Sequence, residues 1–162
     1  MTFYHLLPAS FFQWSQQTYF ASLIKRSMWA FAITETIHII ALAVLLGSTL
    51  LVDLRLLGKG MTQEPVSALS RTLLPWTWSM LGVIVVTGIL MFGSEAVRLR
   101  DSGPFFYKMV ILCLAVLFHV TIHRRVTGSD AIEGTGTARV TAYLSLVGWL
   151  SVALAGRAIA FL

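Results

Sequence analysis

Residues 28–52, MWAFAITETIHIIALAVLLGSTLLV, decide the fold. The run exceeds the roughly 20 residues that an α-helix needs to cross hydrocarbon. It is apolar on consecutive positions, so it lacks the alternation of a porin strand, and only a helix satisfies its own backbone in lipid. Three further apolar runs follow at 73–92, 105–122 and 140–159. Composition agrees: 57% of residues are hydrophobic and 12% charged, with a mean hydropathy of +0.80. A soluble domain carries about twice that share of charge. The expected fold is all-α, an integral membrane four-helix bundle of up-down-up-down order forming one domain over 1–162.

The segment before the first run, 1–27, mixes aromatics (Phe11, Phe12, Trp14, Tyr19, Phe20) with Gln16, Gln17, Lys25 and Arg26. This composition predicts an interfacial helix. The basic pair follows the aromatics and a long apolar run comes next, which is the reverse of a secretory signal, so the segment is expected to be retained. Short linkers carry breakers: Gly58, Gly60 and Pro65 after the first span, Ser102-Gly103-Pro104 before the third, and Gly128, Gly134 and Gly136 before the fourth. Neighbouring helices are therefore antiparallel.

The formal net charge of +5 suits loops that meet anionic headgroups. Arg55, Lys59, Arg71, Arg124, Arg125 and Arg139 fall on one side of the membrane, and Lys25, Arg26, Arg98 and Arg100 on the other. The positive-inside rule then puts the first group in the cytoplasm and both termini in the periplasm of a bacterial inner membrane. No soluble basic face exists to receive nucleic acid. Cys113 is the single cysteine, so a disulfide or thiolate cluster within one chain is excluded.

The polar residues inside the spans carry the functional information. A charge near the bilayer centre costs roughly 2.5–3.5 kcal/mol on insertion scales, and such residues are paired or functional. Glu35 and His38 lie in span one, Lys108 and His119 in span three with His123 at its end, and Arg157 in span four; Asp53 and Arg55 close span one. Lys108 and His119 return to within about 20° of one direction at 100° per residue, with His123 one turn on. Glu35 and His38 are neighbours on span one, and Asp53 follows Glu35 by five full turns on the same face. Centring each span on its apolar run puts Glu35, Lys108 and Arg157 roughly 7–11 Å to one side of the midplane, with His38 only ~3 Å from it. Asp53, Arg55, Arg71, His123 and Arg124 gather at the opposite surface, where an Asp–Arg network could tie helices together. Paired charges of this kind can also serve only to fix helix register.

A midplane histidine has no headgroup to reach, so His38 must bond a neighbour, bind a metal or relay protons. Histidines facing the interior of an apolar bundle are what a b-type haem requires. The iron takes one or two axial imidazoles, and the propionates take Arg or Lys near the surface. His38 and His119 are the candidate iron ligands, and Lys108, His123, Arg157 and Glu35 complete the candidate cofactor site. On the same centring His38 and His119 stand about 12 Å apart along the normal. That gap leaves open other pairings for His38, with Lys108, Met80 or Met109, or a lone axial role.

The stretch His38-Ile-Ile-Ala41 to Gly47, running on to Asp53-Leu-Arg55-Leu-Leu, resembles the H-x-x-A…G…R-L opening of HemJ-type protoporphyrinogen oxidases and of CopD-like membrane domains. Lys108 with Phe118-His119 is similar to the K…Y-H span of the HemJ type, and Arg71…Pro75…Thr87-Gly88 to its second span. This resemblance implies b-type haem, with His38 matching the first-span histidine and Lys108 the third-span lysine. The L-P-R-L-F-V-Y-H end of that family's first span and the N-E-x-P of its last are not present. Oxidation of a porphyrin loses support with them, whereas haem binding needs fewer groups.

A fuller resemblance runs from about Ser27 onward. It is to a bacterial family of short, uncharacterised four-span membrane proteins with E-T-x-H-I (Glu35–Ile39), D-L-R-L-L-G (Asp53–Gly58), L-L-P-W (Leu73–Trp76), T-G-x-L-M-F (Thr87–Phe92), H-R-R (His123–Arg125) and G-R-x-I-A (from Gly156). It implies no function. Three classes follow from the residues and resemblances together. One is a haem b protein passing electrons between a quinone and a redox partner. Another is a porphyrin-oxidising enzyme. The last is a cofactor-free transporter or assembly subunit, working as a homo-oligomer, in which the intramembrane charges form an ion or proton path.

Overall fold

The computed structural model describes residues 8–130 and 134–159. All regular structure in them is helical: α1 (Ala9–Gln17), α2 (Tyr19–Arg26), α3 (Met28–Leu56), α4 (Val66–Leu99), α5 (Gly103–Phe118), a π-helical turn (His119–His123), α6 (Arg124–Thr127) and α7 (Gly136–Ile159). Four helices are long and apolar enough to cross a bilayer: α3, α4, the continuous helix Gly103–Thr127, and α7. Each overruns its apolar run on at least one side. The 34 residues of α4 rise about 51 Å at 1.5 Å each, against about 30 Å of hydrocarbon. Hydropathy marks where lipid ends, while a helix continues until something breaks it. For α4 the limits are Pro65 and the Asp101–Pro104 turn; for α3 the limit is Gly58, at φ +70°. There the Gly58 and Lys59 amides donate to the Arg55 and Leu54 carbonyls, the paired bonds of a glycine-terminated helix.

Two hydrogen bonds fix the register of α3 against α4. His38 meets Thr87, and ten residues along, Ser48 meets Thr77. These partners run in opposite directions, so the two helices are antiparallel. Parallel to α3, the third span is set by Asp53 against His123. The core between these rungs is apolar, built on Ala41, Leu45, Ile84 and Trp149. A second cluster of Leu56, Val66, Val126, Ala138 and Ala142 closes the end of the bundle near the α3–α4 turn. Large apolar side chains point outward along the spans, among them Ile40, Val86, Ile89, Leu117 and Leu154. Water would penalise that surface, whereas lipid solvates it.

The N-terminal segment holds two short helices where one was expected; the first seven residues lie outside the described ones. Thr18 separates the helices with an extended backbone, and its hydroxyl donates to the Ser15 carbonyl at 2.8 Å. Both helices pack on the far end of α4. Phe12 and Ala21 are buried, Gln16 donates to the Ser94 carbonyl at 3.0 Å, and a Cβ on Gly93 would sit 3.0 Å from the Ala21 methyl.

Candidate functional site

Asp53 lies in the last turn but one of α3, and His123 ends the π-helical turn of the third span. His123 Nε2 donates to Asp53 Oδ1 at 2.8 Å, with both residues buried, Asp53 at 0% and His123 at 3% exposure. One turn up, the His119 ring stacks on His123 at 4.7 Å between centroids and meets the edge of Trp149 at 6.0 Å. The π-helical turn fits an extra residue into the helix. Such turns occur often at functional sites. The turn spans His119-Val-Thr-Ile-His123 and buries both of its histidines.

Three buried polar atoms at this centre have no hydrogen-bond partner among the described residues: Asp53 Oδ2, His119 Nδ1 and Ser145 Oγ. Ser145, from α7, stands next to the Asp53 carboxylate but short of hydrogen-bond geometry. Buried groups of this kind are nearly always satisfied, by protein or by water. Beside His119 and His123, without reaching Asp53 or Ser145, is a cavity of about 20 Å³ walled by hydroxyls of Ser48, Thr49 and Thr77 and by apolar Val52, Leu73 and Leu74, on the scale of a single water. Ser70 and Arg124 continue its lining toward the membrane surface. Ser70 donates to Thr127 Oγ1 at 3.2 Å, and Thr127 donates to the His123 carbonyl at 3.0 Å.

A second polar level lies higher in the bundle. His38 stands fifteen residues before Asp53, and Lys108 fifteen before His123. The contact between Asp53 and His123 therefore sets His38 and Lys108 at a common height, about 22 Å away. Lys108 lies within electrostatic reach of His38, and its stem crosses Gly156, where a Cβ would come within 3.5 Å of Nζ. His38 Nδ1 is 2.8 Å from Thr87 Oγ1. With the Thr87 hydroxyl donating back to the Val83 carbonyl at 2.7 Å, it accepts from the imidazole. Neutral His38 then carries its proton on Nδ1 and a bare lone pair on Nε2.

Of the remaining predicted residues, Glu35 is half-buried one turn before His38 and makes no hydrogen bond or ion pair among the described residues, while Arg157 follows Gly156 at the Lys108 level with an exposed side chain. The expected Asp–Arg network takes a different form. Asp53 bonds a histidine, and Arg55 Nε donates to the Glu64 carbonyl at 2.6 Å. His38 and His119 stand about 16 Å apart along the helices, since His119 is only one turn above the Asp53 level. Outside the spans, Asp130 caps α4 by accepting from the Ser67 amide at 3.0 Å and the Ser67 hydroxyl at 2.9 Å. The Ser67 amide and hydroxyl, with Arg71 and Arg55 nearby, hold its carboxyl below the ordinary carboxylate range.

Residues 11–162 match a family described as a family of unknown function (DUF6644), a span that takes in most of α1, all of α2 and all four long helices. The chain belongs to that family. No curated protein and no solved structure matches it. What the DUF6644 chain offers chemically is therefore read from its own geometry. A buried carboxylate–imidazole pair sits next to a second imidazole and a small cavity of mixed lining, and a separate imidazole lies about 22 Å away. Thr87, Ser145 and Trp149, which orient or flank these groups, carry no charge and stood out from neither composition nor spacing.

Proposed function

We propose that this DUF6644 chain is an integral membrane protein that takes up and passes protons inside the bilayer, with Asp53, His123 and His119 as the working groups. The observation that carries the reading is the Asp53–His123 hydrogen bond, buried in the membrane beside three polar atoms that lack partners. Carboxylate and histidine chains within membrane helices are the usual makings of proton relays. When His123 takes up a proton at Nδ1, its Nε2 proton can pass to Asp53 Oδ1, which leaves His123 neutral and Asp53 a carboxylic acid next to Ser145. His119 Nδ1 offers a second acceptor one turn higher. The side that carries Ser70, Arg124 and the other cytoplasm-facing cations is the side from which protons would arrive, by the positive-inside rule in a bacterial inner membrane. Between the Ser48–Thr77 pair and His38 the core is apolar, built on Ala41, Leu45 and Ile84, so a complete crossing requires a second conformation. Purified protein in liposomes under an imposed potential, read with an internal pH dye, tests this. Proton flux above protein-free liposomes that is lost in Asp53→Asn is expected. Absence of flux, or flux that Asp53→Asn leaves intact, would overturn the proposal.

A second reading, b-type haem with electron transfer to a quinone, is favoured by one observation, the bare Nε2 of His38. An axial imidazole held through its other nitrogen is how haem and metal ligands are oriented. His119 does not fit as the opposite ligand of the same iron, given its 16 Å offset along the helices, roughly, and a neighbouring cavity of about 20 Å³. When bound, haem would supply one-electron chemistry; the chain would supply His38 as ligand and Lys108 as a nearby positive charge. Oxidised and dithionite-reduced absorbance spectra of haem-replete protein decide it. A Soret band lost in His38→Ala supports haem, and a colourless preparation removes it together with the HemJ-like and CopD-like expectations.

A further inference from the structure

A crevice of about 250 Å³ opens between α1, α2 and the end of α4, on the opposite side of the membrane from Asp53. Its α1 wall is Gln13, Gln16 and Gln17, at i, i+3 and i+4 on one helix face, and its α2 wall is Ser22, Lys25 and Arg26, with the same spacing. The opposite faces of both helices are buried, through Phe12 and Ser15 on α1 and Ala21 and Ile24 on α2. The crevice walls are thereby held in place.

The lining contains amide and hydroxyl donors and two cations but no acidic side chain. Lys25 and Arg26 form no ion pair among the described residues, and the nearest carboxylate on the end of α4, Glu95, is engaged by Arg98 at 2.9 Å. The positive end of the α3 dipole begins two residues beyond Arg26. Around the crevice, Trp14, Tyr19, Phe20 and Leu23 are largely exposed. Aromatic and apolar groups of this kind sit at headgroup level in a bilayer. The depth is therefore that of lipid phosphate, and the volume admits a phosphodiester with its glycerol.

We propose that this crevice binds the phosphate of an anionic phospholipid headgroup, with Lys25 and Arg26 as the charge partners and the glutamines as hydrogen-bond donors. The full chain purified in neutral detergent tests it by thermal unfolding in three additions: phosphatidylcholine, phosphatidylcholine with phosphatidylglycerol, and phosphatidylcholine with inorganic phosphate. At about a hundredfold excess over the dissociation constant, phosphatidylglycerol is expected to raise Tm by about 5–10 °C. The Lys25→Gln/Arg26→Gln variant should lose that rise. Both side chains are exposed, so the variant is expected to keep its fold, which its Tm in phosphatidylcholine alone will check. A rise of the same size in wild type and variant would overturn the proposal. A rise of equal size from inorganic phosphate, also lost in the variant, would overturn the lipid assignment in favour of a free-phosphate site.

Discussion

Removing either end of the Asp53–His123 pair should destabilise the bundle, and removing both should cost less than the sum. The bond is 2.8 Å long and sealed from solvent at both ends. Asp53→Ala leaves His123 Nε2 without an acceptor, a loss of about 1–3 kcal/mol. At this chain length that lowers Tm by roughly 2–4 °C per kcal/mol. His123→Ala strands a buried carboxylate, which limits its own cost by taking up a proton. Hydrogen bonds between membrane helices couple by about 0.6 kcal/mol on average and up to about 1.7. This pair belongs near the upper limit, because both partners are buried. Asp53→Asn should behave differently. Its carbonyl still accepts from His123, and its amide can donate to Ser145 Oγ, which has no partner now. A double-mutant cycle by reversible unfolding in mixed micelles, followed by the fluorescence of Trp149 against His119, provides the readout. A coupling below about 0.3 kcal/mol, or an Asp53→Asn variant as unstable as Asp53→Ala, would refute the reasoning.

Gly93→Leu should detach α1 and α2 from α4, because even a Cβ would stand 3.0 Å from Ala21 and 3.6 Å from the Ser15 carbonyl. Overpacking of this kind costs about 1–3 kcal/mol, and limited proteolysis within 18–27 should quicken while the long helices keep their far-UV signal; unchanged cleavage would count against the packing described. Asp130→Ala should loosen the first turn of α4, seen as faster hydrogen exchange there. Since the folded Asp130 carboxyl is held below its ordinary value of 3.8, its contribution is complete above that value and is lost as pH falls below it. Wild type and variant should therefore converge in acid, and a difference that persists there would exclude the carboxylate as its source.

The four long helices were legible because consecutive apolar residues in lipid leave the backbone no other satisfied form. Their ends were less legible. His123 sits just past the apolar run and reads as an interfacial side chain, yet the helix continues to Thr127, short of Gly128, and buries it. Depth counting placed Asp53 and His123 on one level but could not choose the carboxylate's partner among His123 and several arginines. That choice depends on which side chain the π-helical turn rotates inward, and the turn has no signature in the sequence. The break between α1 and α2 left no proline or glycine at all; it falls at Thr18, whose backbone is extended. His38 and Lys108 were found by angle and depth, whereas the tautomer of His38 needed Thr87, which the motifs contained but which nothing in the sequence paired with His38.

Lipid tails are as apolar as leucine, so burying apolar faces against one another does little to choose one sliding position of two membrane helices over another. In this bundle the polar rungs make that choice. A slip of α3 by one turn, about 5.4 Å, would break His38–Thr87, Ser48–Thr77 and Asp53–His123 together while leaving Ala41, Leu45 and Ile84 still among apolar neighbours. The inner pair therefore has a structural task whether or not it moves protons, and loss of flux in a destabilised variant would not separate the two. Asp53→Asn does separate them. It keeps the rung, through an amide of the same shape, and removes the group that gains and loses a proton. A variant that melts like wild type and conducts no protons assigns Asp53 to the transfer itself, whereas one that melts like wild type and conducts as before confines it to register.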